Sequence, residues 1–493
     1  MTKSIFSWQR ITLLFTVLTL SLGPFRSVIG QASERSALSL RAALAAPDAI
    51  KIPFESYKLP NGLTIILSID RATPTVAVDV WYHVGSKNEL VGRTGFAHLF
   101  EHVMFTGSAH VPYGLHDKLT EGIGGNNNGS TTNDRTNYYE VVPTNYLESA
   151  LWLEADRMGW LLDSLDLAKL NAQRDIVKNE RRQGVDNQPY GRVSEIFSSA
   201  LYPKTHPYSW SVIGSMEDLS AASENDVKDF FRLYYAPNNA TIADVGDFDP
   251  VQAKAWIAKY FNAVPQGKAV QQPTVAQIKL EQEKRLVYED RVQIPRLYLQ
   301  WPTVGARQDD DDHALDVLAA ILSGPRTARL TKALVYDSQA AANVFAFQNS
   351  SEEVGVFQIM VVPRPGHSLT ELEASIDEVL QRFAKEGPTR EEMQKATAGA
   401  ELNFVRGLES NLGKAEQLLN GAVFHGDPGY FKGDYQKTLT VTAADVKRVA
   451  NTFLNKGRVV LSVVPKGKKE QAAKAAESQV VTERLSTERG GQS

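Results

Sequence analysis

The spacing of apolar residues along the chain predicts both strands and helices. Val76–Gly85 and Arg296–Gly305 have the alternating character of strands, and each ends in glycine. Other segments carry apolar residues every three or four positions and predict amphipathic helices. Each half of the chain reads as two strands, several helices and a final strand. We therefore expect an α+β fold in which helices pack on a sheet.

The two halves repeat this pattern at a nearly constant distance. Gly85 and Gly305, which end the two alternating segments, are 220 residues apart (305 − 85). Asp226 and Asp445 each begin an Asp-Val-Lys sequence that opens a predicted helix before a final strand, and they are 219 residues apart (445 − 226). The agreement favours two duplicated α+β domains, and the alternative is two unrelated domains with chance matches.

One predicted helix, Thr94–Gly107, combines apolar character with three polar side chains. A helix that is apolar almost all round is normally buried, yet this one carries His98, Glu101 and His102. Burial of such groups without partners is costly, and a metal ion would supply the missing charge. At about 100° per residue, the two histidines lie about 40° and one turn apart, so both imidazoles can reach one ion.

These three residues form the sequence H-x-x-E-H, the reverse of the H-E-x-x-H zinc-peptidase motif. Glu101 lies beside His102, where a carboxylate could hold a water at the metal. The alternative is a core helix with two hydrogen-bonded histidines. The chain has no cysteine, so thiolates cannot bind zinc here.

A catalytic zinc site usually has three protein ligands and one open position, so a third ligand is expected. The predicted helix Leu170–Gln183 offers Glu180, which shares an apolar face with Ile176 and Val177, whereas Arg181 lies on the opposite, charged face. Metal coordination or a salt bridge to a neighbouring helix would explain a carboxylate there. Glu154 and Asp156 are rival ligands with weaker placement.

The segment between these helices changes character along its length. Gly124–Glu140 begins as a Gly/Asn-rich loop, and Thr136–Val142 predicts a strand. A strand beside a metal site could accept an extended peptide at the sheet edge. The alternative is an ordinary loop followed by an internal strand.

The second half lacks the metal motif. The duplication places Leu318–Leu322 at the position of H-x-x-E-H, and every ligand type is replaced there by an apolar residue. We therefore expect the first half to contain the metal site and the second half to have a supporting, structural role. The net charge of −4 over 493 residues gives no basic excess that would indicate a nucleic-acid partner.

Composition marks the ends of the chain and the join between its halves. Basic residues followed by an apolar run too short for a membrane span predict a secretory signal peptide and a periplasmic or secreted protein. A mitochondrial presequence is the alternative. The predicted divisions are residues 1–32 for the signal peptide, 33–264 for the zinc-binding domain, 265–282 for the linker, 283–465 for the homologous domain without metal, and 466–493 for a disordered tail.

The motif and its distant glutamate resemble the pitrilysin/insulinase family of zinc peptidases. Glu180 follows His102 by 78 residues (180 − 102), and NNGSTTNDRTNYYE resembles the family's active-site strand. The length is similar to that of the short-chain branch, which includes bacterial periplasmic peptidases and mitochondrial processing peptidase subunits. The resemblance implies two domains, each with a mixed sheet flanked by helices, that form half of a clam-shell chamber.

The resemblance also implies roles for individual residues. His98, His102 and Glu180 match the ligands of one zinc ion per chain, and Glu101 matches the general base. Asn128 and Gly129 match positions that contact the peptide backbone.

One segment departs from the family pattern. The family carries L-R followed by a tyrosine in its second domain, but Leu334–Ala342 has Val335 and Ala342 at the arginine and tyrosine positions. The missing pair would grip substrate and stabilise the oxyanion. The resemblance thus implies a homologous partner subunit that lacks H-x-x-E-H and carries both residues, although a homodimer could also form.

The expected function is that of a zinc-dependent endopeptidase that hydrolyses peptides or unfolded segments as the catalytic subunit of a two-chain assembly. The alternatives are a processing peptidase that removes leader or presequence segments and a non-catalytic assembly subunit. A closed structural zinc site is disfavoured, because two histidines and a glutamate leave a position open. No nucleic acid and no membrane span after signal cleavage are expected.

Overall fold

The computed structural model describes residues 50–306, 310–454 and 457–481, and these form two six-stranded sheets flanked by helices. The first sheet contains β1 (Glu55–Lys58), β2 (Thr64–Ile69), β3 (Thr75–Tyr82), β4 (Asn126–Thr131), β5 (Thr136–Pro143) and β6 (Ala240–Gly246). The second contains β7 (Lys284–Asp290), β8 (Arg296–Val304), β9 (Ala341–Ser350), β10 (Val354–Pro363), β11 (Val459–Pro465) and β12 (Gln479–Val480). The predicted signal peptide lies outside the described residues.

The helices also divide between the two halves. The first half contains α1 (Phe96–Val103), α2 (Leu115–Glu121), α3 (Leu147–Ser164), α4 (Leu167–Arg181), α5 (Val193–Leu201), α6 (Met216–Ala221), α7 (Glu224–Tyr234) and α8 (Pro250–Phe261). The second contains α9 (Asp311–Leu322), α10 (Leu369–Glu386), α11 (Arg390–Gly407), α12 (Asn411–His425), α13 (Phe431–Thr440) and α14 (Ala443–Phe453). Within the described residues, none of these helices is long and apolar enough to cross a membrane.

Five of the six strands have the same order and directions in both sheets, which confirms the predicted pair of α+β domains; the sixth differs, because β1 pairs antiparallel with β2 and β12 pairs parallel with β7. Their strand orders are β1-β2-β6-β3-β5-β4 and β12-β7-β11-β8-β10-β9. In each sheet the second and third strands of this order pair in parallel, β2 with β6 and β7 with β11, and their neighbours toward the far edge are antiparallel. Both sheets are therefore mixed, and β4 and β9 are equivalent edge strands.

The repeated Asp-Val-Lys sequences are helix caps. The hydroxyl of Ser223 accepts a hydrogen bond from the backbone N–H of Asp226, whose carboxylate accepts one from the backbone N–H of Ser223. Thr442 and Asp445 form the same capping box at the start of α14. Such boxes satisfy N–H groups that a helix leaves free, so the repeat marks the start of the last helix before each final strand.

Each half contributes one helix to the sheet of the other half. Helix α5 packs on β11, and Phe197 lies edge-on to Tyr298 with 6.3 Å between ring centroids. Helix α12 packs on β3 and β6, and Phe424 lies edge-on to Trp81 at 5.9 Å. The two halves are thus joined by an exchange of helices.

A buried ion cluster also joins the halves. Glu352, at the turn between β9 and β10, pairs with Lys87 and with Nε2 of His83 at 2.8 Å. Lys87 is 3.2 Å from a carboxylate oxygen of Asp134, which also accepts a hydrogen bond from the backbone N–H of Glu352 at 2.9 Å. The hydrogen bonds and charges of His83 and Lys87 outweigh burial and lower the pKa of Glu352 to about 2.

Two predictions from composition are wrong in the described part of the chain. Residues 466–481, predicted as disordered tail, are ordered: β12 pairs with β7, and the small side chains of Ala472 and Ala473 are buried in the second core. The Gly/Asn-rich run predicted as a loop forms strand β4, because its backbone pairs with β5 from Asn126 to Thr131. Residues 265–280, within the predicted linker, contain no helix or strand.

Candidate metal centre

Backbone conformation and a buried carboxylate fix the start of helix α1. Gly95 has φ 89°, a left-handed conformation that favours glycine, and a Cβ there would lie 2.8 Å from the Ile213 carbonyl oxygen. The carboxylate of Glu89 accepts hydrogen bonds from the backbone N–H groups of Gly95 and Ala97, both at 2.9 Å. Glu89 thereby satisfies N–H groups at the helix start, although burial raises its pKa to about 8.

Helix α4 places Glu180 opposite the histidines of α1. Asp166 caps this helix, and Val177 is buried against the first core. The predicted apolar face is only partly correct, because Ile176 is exposed and Arg181 is buried, where it pairs with Glu195 at 2.6 Å. The carboxylate of Glu180 faces both histidines and keeps 43% of its side chain exposed.

The structure brings His98, His102 and Glu180 together. One carboxylate oxygen of Glu180 is 3.7 Å from Nε2 of His98 and 3.2 Å from Nε2 of His102. The imidazole rings are nearly perpendicular, with 4.9 Å between centroids. One potential ligand atom from each of the three residues lies within 4.8 Å of the other two.

This donor set fits a zinc ion. Ligands at about 2.0–2.2 Å in a tetrahedral arrangement are roughly 3.4 Å apart, close to both measured separations. Burial, together with the charge of His102, lowers the pKa of His98 to about 4, so that imidazole is neutral as a ligand must be. Two histidines and one carboxylate are typical of catalytic zinc.

Glu101 lies on the same helix and contacts strand β4. Its carboxylate accepts a 2.6 Å hydrogen bond from the hydroxyl of Thr131. A Cβ at Gly129 would lie 3.1 Å from Cγ of Glu101, so the glycine leaves room for the carboxylate. Burial raises the pKa of Glu101, while the bond from Thr131 opposes the shift. The arrangement suits a proton acceptor held in a partly desolvated position.

The predicted substrate contacts lie on the free edge of the first sheet. Asn128 is exposed and Gly129 is buried on β4, whose sheet neighbour is β5. The side-chain oxygen of Asn128 accepts a 2.9 Å hydrogen bond from the backbone N–H of Gly129. An edge strand beside the three donors can present backbone groups to an extended chain.

The rival ligands lie in other networks. Glu154 is buried and pairs with Arg157, whose guanidinium also lies 3.3 Å from Glu140. His116 and these two glutamates could hold a metal by distance, but Arg157 already supplies the positive charge. Asp156 is bound to Nδ1 of His110 at 2.6 Å.

The sequence analysis missed Thr131 and Glu89 as parts of the site. Thr131 is 30 positions from the glutamate it contacts, and only the pairing of β4 with β5 brings it there. Glu89 could have been suspected as a helix cap, because it precedes a glycine and an apolar helix.

The predicted arginine and tyrosine positions carry no polar groups in the structure. Val335 lies in the π-helical turn Thr331–Asp337 and packs partly against the second core. Ala342 is exposed on the edge strand β9.

Comparison with known proteins matches two family models to the chain. Residues 64–211 match the family "Insulinase (Peptidase family M16)", and residues 221–399 match "Peptidase M16 inactive domain". The four residues of the candidate site lie in the first segment: His98, Glu101, His102 and Glu180.

Relatives and solved structures agree with these matches. Zinc protease PqqE of Helicobacter pylori is 30% identical over 81% of this chain and 90% of its own length. Mitochondrial-processing peptidase subunit beta of Blastocladiella emersonii is 23% identical over 80% and 85%. The crystal structure of a protease from Helicobacter pylori has a TM-score of 0.78 and 28% identity over 84% of this chain and all of that one.

Duplicated α+β domains with an inverted zinc-peptidase motif define a class of zinc metallopeptidases. The chain belongs to the pitrilysin/insulinase family, peptidase family M16.

Proposed function

We propose that this chain is a zinc-dependent endopeptidase that hydrolyses peptides or unfolded segments. The observation that carries the proposal is the convergence of His98, His102 and Glu180 beside Glu101 and the edge strand β4. A subunit that serves only assembly would have no need of a complete donor set together with a base.

The residues of the site have separate roles in the proposed reaction. A zinc ion held by His98, His102 and Glu180 would polarise the scissile carbonyl and activate water at neutral pH. Glu101 takes a proton from the attacking water and gives it to the leaving amine. Thr131 orients the Glu101 carboxylate through its hydrogen bond.

Strand β4 would bind the substrate as an added strand. Main-chain hydrogen bonds from an edge strand hold an extended peptide with little dependence on its sequence. Asn128 and Gly129 lie on this strand, so the scissile bond would pass close to Glu101. Folded proteins cannot adopt that extended form, which favours peptides and unfolded segments.

The second candidate function is the removal of leader or presequence segments. The relative named mitochondrial-processing peptidase subunit beta favours it. The predicted secretory signal favours action in the periplasm or outside the cell. In both cases Val335 and Ala342 support a two-chain assembly, in which a homologous subunit supplies an arginine and a tyrosine.

The proposal is tested by replacing the base while leaving the metal ligands intact. Glu101→Gln should retain about one zinc per chain, and peptide turnover should fall about a hundredfold or more. Zinc content, thermal melting and peptide hydrolysis are measured on the same sample, alone or with the partner that gives most turnover. The control is Glu121→Gln at the exposed end of α2, which should change none of these. Undiminished turnover with Glu101→Gln would rule out the assigned role.

A further inference from the structure

The second half contains a cavity at the counterpart of the metal site. Helix α9 follows β8 as α1 follows β3, and α11 follows α10 as α4 follows α3. In the first half, α1 and α4 carry the three metal-binding side chains. In the second half, α9, α11, α13 and residues 323–328 line a half-open cavity of about 560 Å³.

Most of the cavity wall is apolar. Phe404 of α11 stacks on Tyr435 of α13, with 4.4 Å between ring centroids and an interplanar angle of 13°. Several other wall residues are small or aliphatic, so the interior is wide enough for a ring or an alkyl chain: Val317, Ala320, Ile321, Ala396, Gly399 and Ala400. A volume of this size falls within the range of small-molecule sites.

Asp316 places a carboxyl group in this apolar wall. Its side chain is accessible from the cavity, and no described basic side chain forms an ion pair with it. Although the residue is exposed, the neighbouring protein reduces the hydration of its carboxyl group, and this effect, followed by the charges of Asp312 and Asp434, raises the pKa of Asp316 to about 7. Asp316 is an exposed residue of the cavity wall, so its carboxylate is open to a ligand and has no paired cation among the described side chains.

The other charged groups of the wall already have partners. Glu392 is bound by Arg329 at 2.7 Å, and Lys395 is bound by Glu391 at 2.7 Å. Asp434 is 3.3 Å from Nε2 of His313. The wall thus contains three acidic side chains and one lysine, and Asp316 is the acid left for a ligand.

We propose that this cavity binds a small organic ammonium ion with an apolar body. The ammonium group pairs with Asp316, and the body packs between the aliphatic wall and the Phe404–Tyr435 stack. The site is distinct from the metal centre and requires no peptidase activity.

The charge requirement is tested by calorimetric titration of the purified chain with 1-naphthylmethylammonium. The neutral 1-naphthalenemethanol and the anion 1-naphthoate are the comparison probes. We expect the ammonium ion to bind at least tenfold more tightly than either, and Asp316→Asn to remove this preference. Asp337→Asn makes the same change in an exposed ion pair with Lys332 and should have no effect. Equal binding of the three probes, or an unchanged preference in Asp316→Asn, would overturn the proposal.

The location of binding is tested by filling the cavity. Gly399 is a helical glycine with open space where its Cβ would be, so Gly399→Leu should fold normally and occupy the cavity. We expect this substitution to lower the affinity for the ammonium probe at least tenfold. Gly407→Leu, on the same helix with equally open space but outside the cavity, is the matched control and should bind as the unaltered chain does. Unchanged binding by Gly399→Leu, with its thermal melting preserved, would place the probe elsewhere and overturn the proposal.

Discussion

Glu180 and Glu154 are both helical glutamates, but their surroundings give them different roles. Glu180 is partly exposed and faces two imidazoles, so its carboxylate can give up contacts with water and bind a metal ion. Glu154 is fully buried against Arg157, and burial raises its pKa well above the usual range. Its carboxyl group accepts hydrogen bonds from a buried guanidinium.

This difference predicts opposite effects of removing the two side chains. Glu180→Ala should weaken zinc binding by more than about a hundredfold and leave stability without metal nearly unchanged, because a ligand is lost from a partly exposed site. Glu154→Ala should retain zinc affinity but lower the free energy of unfolding by about 3 kcal/mol, because Arg157 loses a buried partner. Competition with a chelator and denaturant unfolding measure the two quantities. If zinc affinity fell in Glu154→Ala and not in Glu180→Ala, the ligand assignment would have to move.

At this scale, residues were predictable from sequence where one helix fixes their spacing. His98, Glu101 and His102 lie within one predicted helix, so their common face follows from helical geometry. Contacts such as Thr131 to Glu101 depend on strand register, which the Gly/Asn-rich sequence of β4 did not indicate. The buried charge of Arg157 gave no periodic signal either.

At the scale of elements, the turn between β9 and β10 is held by the first half through Glu352. Glu352 has a pKa of about 2 in the folded chain against an ordinary value of 4.5. Its ionised form therefore stabilises the fold, and this contribution is complete above about pH 4.5 and is lost as the pH falls toward 2. Acid should weaken the contact between the halves.

Glu352→Gln should reduce the dependence of stability on pH. We expect the free energy of unfolding of the unaltered chain to fall by as much as roughly 3 kcal/mol more than that of the variant between pH 5 and pH 2. Urea unfolding at several pH values measures this difference. Glu386→Gln, at an exposed helix end, is the control and should follow the unaltered chain. Parallel pH profiles for Glu352→Gln and the unaltered chain would contradict the role of this cluster.

Elements were predicted well where hydrophobic periodicity was strong. The strands β3 and β8 and the capped helices α7 and α14 match their predicted positions within a few residues. Strand β4 and the segment from 466 to 481 were missed because polar and small residues fill them, and their order comes from pairing with β5 and β7. Tertiary pairing of this kind overrides local propensity.

At the scale of the whole molecule, the first half carries the candidate metal ligands, and the second half lacks the arginine and tyrosine that would hold the substrate. Val335 and Ala342 offer no hydrogen bond from their side chains to a developing oxyanion. A missing donor of this kind is worth about 3 kcal/mol, or roughly a hundredfold in rate. The absence of these donors therefore favours a second subunit that supplies them.

We expect the purified chain to bind zinc but cleave peptides poorly. Turnover should rise about a hundredfold when a homologous subunit that carries the arginine and tyrosine is added. Peptide turnover and mass in solution are measured before and after mixing. As the control, the same partner is mixed with the Glu101→Gln variant, which should stay inactive. High turnover by the chain alone, unaffected by any partner, would contradict the prediction.

The exchange of α5 and α12 has a consequence for how the chain can be divided. Each helix covers apolar surface on the sheet of the opposite half, so a fragment cut at residues 265–280 would leave that surface bare. Cleavage of this segment after folding would leave the two pieces interlocked. The two halves repeat a five-strand arrangement, but each leaves apolar surface for a helix of the other, so we expect them to fold together as one unit.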